Sequence, residues 1–182
     1  MFAHTNFVSQ HNMKRIGILS DTHAHWDERY ARYFADCDEI WHAGDIGSVE
    51  VLEQLEALKP VRAVYGNIDG APIRIRTKQH QRFDIEGVSV WMTHIGGYPG
   101  KYAREVMPEI FRNPPKLFIS GHSHITKVMY DKTLDCLHIN PGAAGLYGFH
   151  KVRTLVRLVI DNGNFSDLEI IELQDERKDK NL

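Results

Sequence analysis

The stretch Gly121-His122-Ser123-His124 places two imidazoles one residue apart, directly after an apolar run. Side chains at positions i and i+2 of an extended segment project to the same side, so both histidines could bind one small target. A metal ion is the obvious target for paired imidazoles. Glycine and serine are also turn formers, and a loop tolerates histidine, so the stretch alone leaves an ordinary turn as the alternative.

Four other apolar segments also end in residues that could bind metal. They are followed by Ser20-Asp21-Thr22-His23, Gly44-Asp45, Gly66-Asn67-Ile68-Asp69 and Thr93-His94. In open α/β sheets, ligands collect beyond the carboxyl ends of the strands, where loops converge on a rigid support. Turn chemistry alone does not explain five such coincidences, so we expect these side chains to form one site.

This inventory is too large for a single ion. Its members are carboxylate, amide or imidazole groups, from Asp21, His23, Asp45, Asn67, His94, His122 and His124. Mixed nitrogen and oxygen ligands suit first-row metals, and the absence of thiolates from the set is typical of hydrolytic rather than structural sites. We expect two divalent transition-metal ions per chain (Mn, Ni, Fe, Co or Zn, with Mn favoured), which together activate a bridging water.

The first part of the chain alternates strands and helices. Strands are predicted at 14–19, 39–42 and 61–65, with an amphipathic helix within 26–36 and a second helix that Ser48 caps and Pro60 ends. This order predicts right-handed crossovers and a parallel sheet.

Beyond residue 70 the pattern favours more antiparallel pairs. We predict a hairpin over 82–92 turning at Gly87, a helix near 102–111 and a strand at 116–120. Further strands are expected at 126–130, 135–139, 154–160 and 165–173. Two packed sheets with helices outside them form a single domain at 13–173. An N-terminal extension (1–12) and a charged tail (174–182) flank it.

The composition excludes several classes of protein. The chain has 182 residues, a formal charge of −2 and only two cysteines, which argues against a disulfide framework and against tight binding of nucleic acid. It has neither an apolar run long enough for a membrane span nor a secretory leader, so we expect no membrane association and a cytoplasmic location.

The ordered set of these motifs resembles the signature of the calcineurin-like metallophosphoesterases, over residues 13 to 160. The short chain also resembles the small bacterial and archaeal phosphodiesterase branch, which shares its fold with a retromer subunit. The resemblance implies a four-layer α/β/β/α sandwich of two mixed sheets. It also implies one metal on Asp21, His23 and His124, a second on Asn67, His94 and His122, and Asp45 as the bridge.

One position departs from the family pattern. Many members have histidine where this chain has Ile68, and that histidine is thought to protonate the leaving group. General acid help is worth about 10²–10⁴-fold. We therefore predict a preference for small phosphodiesters with acidic leaving groups over alkyl monoesters. His25 is a candidate replacement acid or an ordinary surface histidine, and Asp69 either orients the site or serves only as a turn residue.

Two other functions stay open. The fold of the retromer subunit suggests a non-catalytic metal-binding scaffold, although a scaffold has no physical need for seven ligand groups. The second alternative is a nuclease or phosphomonoesterase of the same superfamily. The near-neutral charge of the chain, however, favours small diesters over long nucleic acids as substrates. A homo-oligomer is not excluded.

Overall fold

Strands dominate the part of the chain that the computed structural model describes, residues 13–174. The predicted extension at 1–12 and the tail beyond residue 174 lie outside these residues. The described strands are β1 (Lys14–Leu19), β2 (Glu39–His42), β3 (Val61–Ala63), β4 (His80–Ile85), β5 (Val88–Thr93), β6 (Gly97–Tyr98), β7 (Lys101–Tyr102), β8 (Leu117–Ile119), β9 (Lys127–Asp131), β10 (Cys136–Asn140), β11 (Arg153–Asp161) and β12 (Asn164–Leu173). The described helices are α1 (Arg29–Tyr33), α2 (Val49–Leu58), α3 (Ala71–Arg74) and α4 (Glu109–Arg112).

The first sheet has the strand order β12-β11-β1-β2-β3. Its strands β1, β2 and β3 run parallel, as the alternation of strands and helices predicts. Strands β11 and β12 form an antiparallel pair beside β1, so the sheet is mixed. The carboxyl ends of β1, β2 and β3 therefore lie along one edge of this sheet.

The second sheet has the order β4-β5-β8-β10-β9 and is also mixed. Its outer pairs are antiparallel hairpins, which include the predicted turn at Gly87. Its three central strands, β5, β8 and β10, run parallel to one another. The second half of the chain thus contains a parallel centre that the hairpin pattern alone does not reveal.

An apolar layer fills the space between the two sheets. Ile16 and Ile18 of β1 face Val90 and Met92 of β5 across this layer, and all four are essentially inaccessible to water. The alternation along β1 sends Leu19 to the opposite face, where it packs against the helices. Burial of apolar surface in these layers supplies most of the driving force that holds the sheets together.

Helices α1 and α2 cover the outer face of the first sheet. Helix α2 begins at the predicted cap, where the Ser48 hydroxyl accepts a hydrogen bond from the Val51 amide (3.3 Å), and it ends before Pro60. Its residues Leu52 and Leu55 are buried against the sheet. Helix α1 is shorter than the predicted segment and is confined to residues 29–33.

The outer face of the second sheet is covered by residues 102–112. Tyr102, Val106 and Ile110 pack there on Trp91 and Phe118, as their spacing of four residues indicates. The predicted continuous helix near 102–111 is nevertheless wrong, because Pro108 lacks a backbone N–H and α4 starts only after it. Helices on both outer faces of two sheets confirm the α/β/β/α layering.

No helix among the described residues is suited to crossing a bilayer, and the longest of them, α2, has ten residues.

Candidate metal centre

The two sheets bring the carboxyl ends of five strands to one place. Asp21, Asp45 and Asn67 follow β1, β2 and β3 of the first sheet, at the edge where those strands end. His94 follows β5 of the second sheet, and the Gly121–His124 turn follows β8. Polar residues that follow separate strands in the sequence therefore lie close together in the structure.

The first ligand group combines Asp21, His23 and His124, whose ligand atoms lie within 4.8 Å of one another. His124 Nε2 is 3.1 Å from Asp21 Oδ1 and 3.2 Å from His23 Nε2. His23 Nε2 lies 3.9 Å from Asp21 Oδ1. Two imidazoles and a carboxylate aimed at one point are a typical ligand set for a first-row metal.

The second group combines Asp45, His94 and His122 within the same distance limit. His94 Nε2 is 3.2 Å from Asp45 Oδ1, and the rings of His94 and His122 lie 5.2 Å apart. The other oxygen of Asp45, Oδ2, is 3.8 Å from His23 Nε2 in the first group. Asp45 therefore faces both groups with different oxygens.

Two buried atoms in this cluster form no hydrogen bond of good geometry with any of the residues 13–174. They are Asp21 Oδ1 and His94 Nε2, which lie 4.0 Å apart. His94 Nδ1 is 2.8 Å from the Ala43 carbonyl oxygen, which can only accept, so Nδ1 carries the proton and Nε2 presents a lone pair. Buried polar atoms are normally satisfied. A carboxylate oxygen and an imidazole lone pair that share a buried space fit a bound cation.

The electrostatics of the cluster also favour a cation. Burial lowers the pKa of His94, but the carboxylates of Asp45 and Asp21 outweigh this effect and hold the pKa above its ordinary value. The carboxylate of Asp21, 3.1 Å from His124 Nε2, raises the pKa of His124. Burial lowers the pKa of His23 despite the nearby carboxylates. The two carboxylates thus make the site attractive to positive charge.

The backbone of the cluster is strained. Five of the seven candidate ligands have positive φ angles: 54° at Asp21, 47° at His23, 53° at Asp45, 70° at His122 and 57° at His124. Non-glycine residues rarely adopt this conformation, and where they do, they gather at functional sites. Gly66 is required nearby, because a Cβ there would lie 1.9 Å from Asp45 Oδ1.

Asp69 ties two of the ligand loops together. Its Oδ2 accepts the backbone N–H groups of Gly66 (2.8 Å) and Ile46 (3.2 Å), and its Oδ1 accepts that of Gly47 (2.8 Å). The carboxylate is buried. It connects the segment that follows Asp45 with the one that contains Asn67, which is more than the role of a local turn residue.

His42 lies beneath the site in a chain of hydrogen bonds. The Gly44 N–H donates to His42 Nδ1 (3.1 Å), so the proton is on Nε2, which donates to Thr22 Oγ1 (2.9 Å). Thr22 in turn donates to the Ile46 carbonyl (2.9 Å). This chain joins the loops that carry Asp21 and Asp45, a connection that the position of His42 within its strand does not reveal.

Asn140, at the end of β10, is a positioning residue that the motif analysis missed. Its Nδ2 donates to the Gly121 carbonyl (2.8 Å) and to Ser123 Oγ (3.1 Å), and so fixes the turn that carries His122 and His124. The signal was present in the sequence, since Asn140 also follows an apolar strand and precedes Pro141-Gly142.

Neither ligand group among the described residues includes His25. Its Nε2 lies 3.9 Å from Asp27 Oδ2, and Asp27 also binds Arg29 and Arg153. Ile68 has an exposed side chain next to Asn67, while its backbone N–H donates to Asp45 Oδ1 (3.1 Å). Position 68 therefore faces solvent beside the site.

Two buried neutral imidazoles make stability depend on pH. Burial lowers the pKa of His42 and of His138 to about 4 from an ordinary value of 6.5. Between these values the unfolded chain binds protons that the folded chain excludes. The contribution of these two imidazoles to the free energy of unfolding of the metal-free protein should therefore decrease as the pH falls through this window, by up to about 1.4 kcal/mol per pH unit for each imidazole.

Urea denaturation at pH 7, 6 and 5 measures this slope. The variant His138→Gln should flatten it, because one of the two groups is removed. A slope that is the same in the variant and the wild type would contradict the assignment to His138.

Comparison with known proteins agrees with this geometry. The model of the calcineurin-like phosphoesterase superfamily domain matches residues 13–163. The chain belongs to the calcineurin-like phosphoesterase superfamily. A "Probable metallophosphoesterase" of Methanothermobacter thermautotrophicus is 32% identical to this phosphoesterase over 133 residues, which cover 70% of the chain and 76% of the relative.

Solved structures share the fold. A structure described as that of a novel archaeal phosphodiesterase is 24% identical, with a TM-score of 0.71, and the match covers 87% of this phosphoesterase and 99% of that chain. Vps29 of Entamoeba histolytica, solved in complex with Zn²⁺, is 15% identical with a TM-score of 0.63, and the match covers 88% and 99%.

Proposed function

We propose that this phosphoesterase is a dinuclear metal-dependent phosphodiesterase that hydrolyses small phosphodiesters. The observation that carries the proposal is the arrangement of two ligand groups around Asp45, whose two oxygens face His94 and His23 at 3.2 and 3.8 Å. A carboxylate so placed could bridge two ions and support an in-line displacement at phosphorus.

The chain's residues divide between two ions. Asp21, His23 and His124 would hold one ion, and His94 and His122 the other, with Asp45 facing both. Asn67, which borders a cavity together with His94, would complete the second group. Two bound divalent cations supply a water nucleophile at neutral pH and neutralise charge on the phosphoryl oxygens. The Ala43 carbonyl keeps His94 in the tautomer that a ligand needs, while the Asn67 amide can donate to a phosphoryl oxygen.

The preference for diesters rests on position 68. Ile68 is 48% exposed beside Asn67 and has no proton to transfer to a leaving group. Loss of general acid help, about 10²–10⁴-fold, penalises poor leaving groups most. A diester with an aryl leaving group needs no such help.

Kinetics with paired substrates test this proposal. The metal-loaded protein should hydrolyse bis(4-nitrophenyl) phosphate with a higher kcat/KM than the alkyl monoester glycerol 2-phosphate, whose poor leaving group needs an acid. Ile68→His should raise kcat for an alkyl monoester by about ten-fold or more, because it restores an acid at that position. Ile170→Ala, which alters an equally exposed isoleucine of β12, is the matched control. A clear monoester preference in the wild type would refute the proposal.

The structural likeness to Vps29 supports one alternative, a non-catalytic metal-binding scaffold. Titration with Mn²⁺, Ni²⁺, Co²⁺, Fe²⁺ or Zn²⁺ distinguishes the phosphodiesterase from the scaffold. Binding of two ions per chain with turnover supports the enzyme, with Mn²⁺ the favoured ion. Weak, substoichiometric binding without turnover supports the scaffold.

The cellular setting follows from the cysteines and the charge. Cys37 and Cys136 are free and buried, and burial raises the pKa of each thiol, to about 11 and about 12. Such thiols suit a reducing compartment, which supports our proposal of a cytoplasmic location. A charge of −2 makes a small diester a better partner than a long nucleic acid.

A further inference from the structure

Exposed apolar side chains surround the metal centre. Three candidate ligands are each followed by an exposed isoleucine: Ile68 after Asn67, Ile95 after His94 and Ile125 after His124. Their exposed fractions are 48%, 36% and 63%. A molecule that approaches the site therefore meets hydrocarbon at several points of its rim.

Residues 146–149, here called the aromatic segment, extend this apolar rim. Leu146 and Tyr147 are 60% and 73% exposed, and the ring of Phe149 is fully exposed. The Tyr147 ring lies 5.2 Å from the ring of His23, and a Cβ at Gly148 would lie 2.2 Å from His124 Nδ1. The segment thus rests directly on two candidate ligands.

The aromatic segment starts from a fixed point of the site. The Ala144 and Gly145 amides donate to the carbonyls of Ser20 (2.9 Å) and Asp21 (3.0 Å). At the other end, His150 Nε2 donates to the Gly145 carbonyl (3.0 Å). The exposed rings are therefore held beside the metal centre from both ends.

A cavity of about 330 Å³ lies between the aromatic segment and the turn at 122–125. None of the described residues that line it is a lysine, arginine, aspartate or glutamate. A neighbouring cavity of about 350 Å³, also bordered by His122, contains Lys101 and Lys127. The first cavity therefore suits an uncharged group, and its volume suits a ring of moderate size.

We propose that this cavity is a subsite for an uncharged aromatic ring on one ester arm of the substrate, with Tyr147 and Phe149 stacking on the ring. The inference deepens the proposed function, because it names the class of diester. A nucleoside and an aryl alcohol share the required chemistry, which is a flat π surface close to the phosphorus. Stacking on an aromatic side chain should strengthen binding about ten-fold.

Calorimetric titration of the metal-loaded protein with two non-hydrolysable ligands tests the subsite. Phenylphosphonate and methylphosphonate share the anionic group and differ in the ring. The wild type should bind phenylphosphonate about ten-fold more tightly. Tyr147→Ala and Phe149→Ala should each lose most of this preference, and Phe149→Ala should do so without changing the Kd of methylphosphonate. Tyr147→Phe should retain it, because the ring remains, and so should the control Ile170→Ala.

Several results would overturn the inference. One is an equal affinity of the wild type for both phosphonates, and another is an equal loss of both affinities in Tyr147→Ala. Sedimentation gives a third, since dissociation of a dimer by Tyr147→Ala would show that a second copy covers the aromatic segment.

Two further measurements complete the design. Adenosine monophosphate, used as a third ligand, distinguishes a nucleoside arm from an aryl alcohol arm. Binding tighter than that of phenylphosphonate would assign a nucleoside, and weaker binding would assign an aryl alcohol. Diester turnover by the wild type is measured separately. Turnover without a ring preference retains the proposed function and overturns the subsite. A ring preference without turnover retains the subsite and overturns the proposed function.

Discussion

Asp45→Asn is expected to lower kcat/KM for a diester by about 10³-fold and to reduce bound metal from two ions to about one per chain. The carboxylate oxygens of Asp45 face both ligand groups, and an amide replaces one of them by an NH₂ that cannot bind a cation. Loss of several kcal/mol of charge stabilisation in the transition state corresponds to about three factors of ten in rate.

Metal analysis and steady-state kinetics on the same preparation measure this effect. Urea denaturation without metal checks that the fold is retained, which we expect because the carbonyl oxygen of asparagine can still accept the Ile68 N–H. Asp36→Asn, on the exposed surface after α1, is the matched control. Full activity in Asp45→Asn, or two ions retained, would exclude the bridging role.

Asp69→Ala is expected to lower the free energy of unfolding by about 3–5 kcal/mol. It leaves the amides of Gly66, Ile46 and Gly47 without their acceptor, and each buried unsatisfied group costs about 1–3 kcal/mol. Activity should also fall, because the Asp45 and Asn67 loops lose their connection. The loss in free energy of unfolding for Asp69→Asn should be intermediate, because the asparagine amide keeps one acceptor oxygen.

Urea denaturation of the metal-free protein measures this loss, and Asp36→Ala serves as the exposed control, with little expected change. A loss below about 1 kcal/mol in Asp69→Ala would mean that water replaces the carboxylate and that Asp69 acts only as a turn residue.

The periodicity of the sequence predicts the sheets and the buried faces better than it predicts helix length. Apolar spacing correctly places Val106 and Ile110 on the second sheet, but a continuous helix there is excluded by Pro108. Helix α2 is predicted well because both its ends carry local signals, the Ser48 cap and Pro60. Helix α1 lacks a side-chain cap and extends over only five residues.

The convergence of the two ligand groups could be predicted from the sequence, because each polar cluster follows a strand and parallel strands end at the same edge of a sheet. The details of their geometry could not. The tautomer of His94 depends on the Ala43 carbonyl, 51 residues away in the chain. Aspartate tolerates the left-handed backbone better than most residues do, but the sequence does not show that Asp21 and Asp45 adopt it, because the packing of the loops decides this.

Each ligand group takes side chains from both sheets, with Asp21 and His23 opposite His124 in one, and Asp45 opposite His94 and His122 in the other. Elsewhere the sheets meet through the apolar layer, whose attraction has no preferred direction and tolerates small displacements. A small slide of one sheet over the other would change the spacing between the two halves of each group. Catalytic rate should therefore report on the packing of residues deep in the sandwich, and a conservative change at Met92 or Leu158 could be detected first as altered turnover.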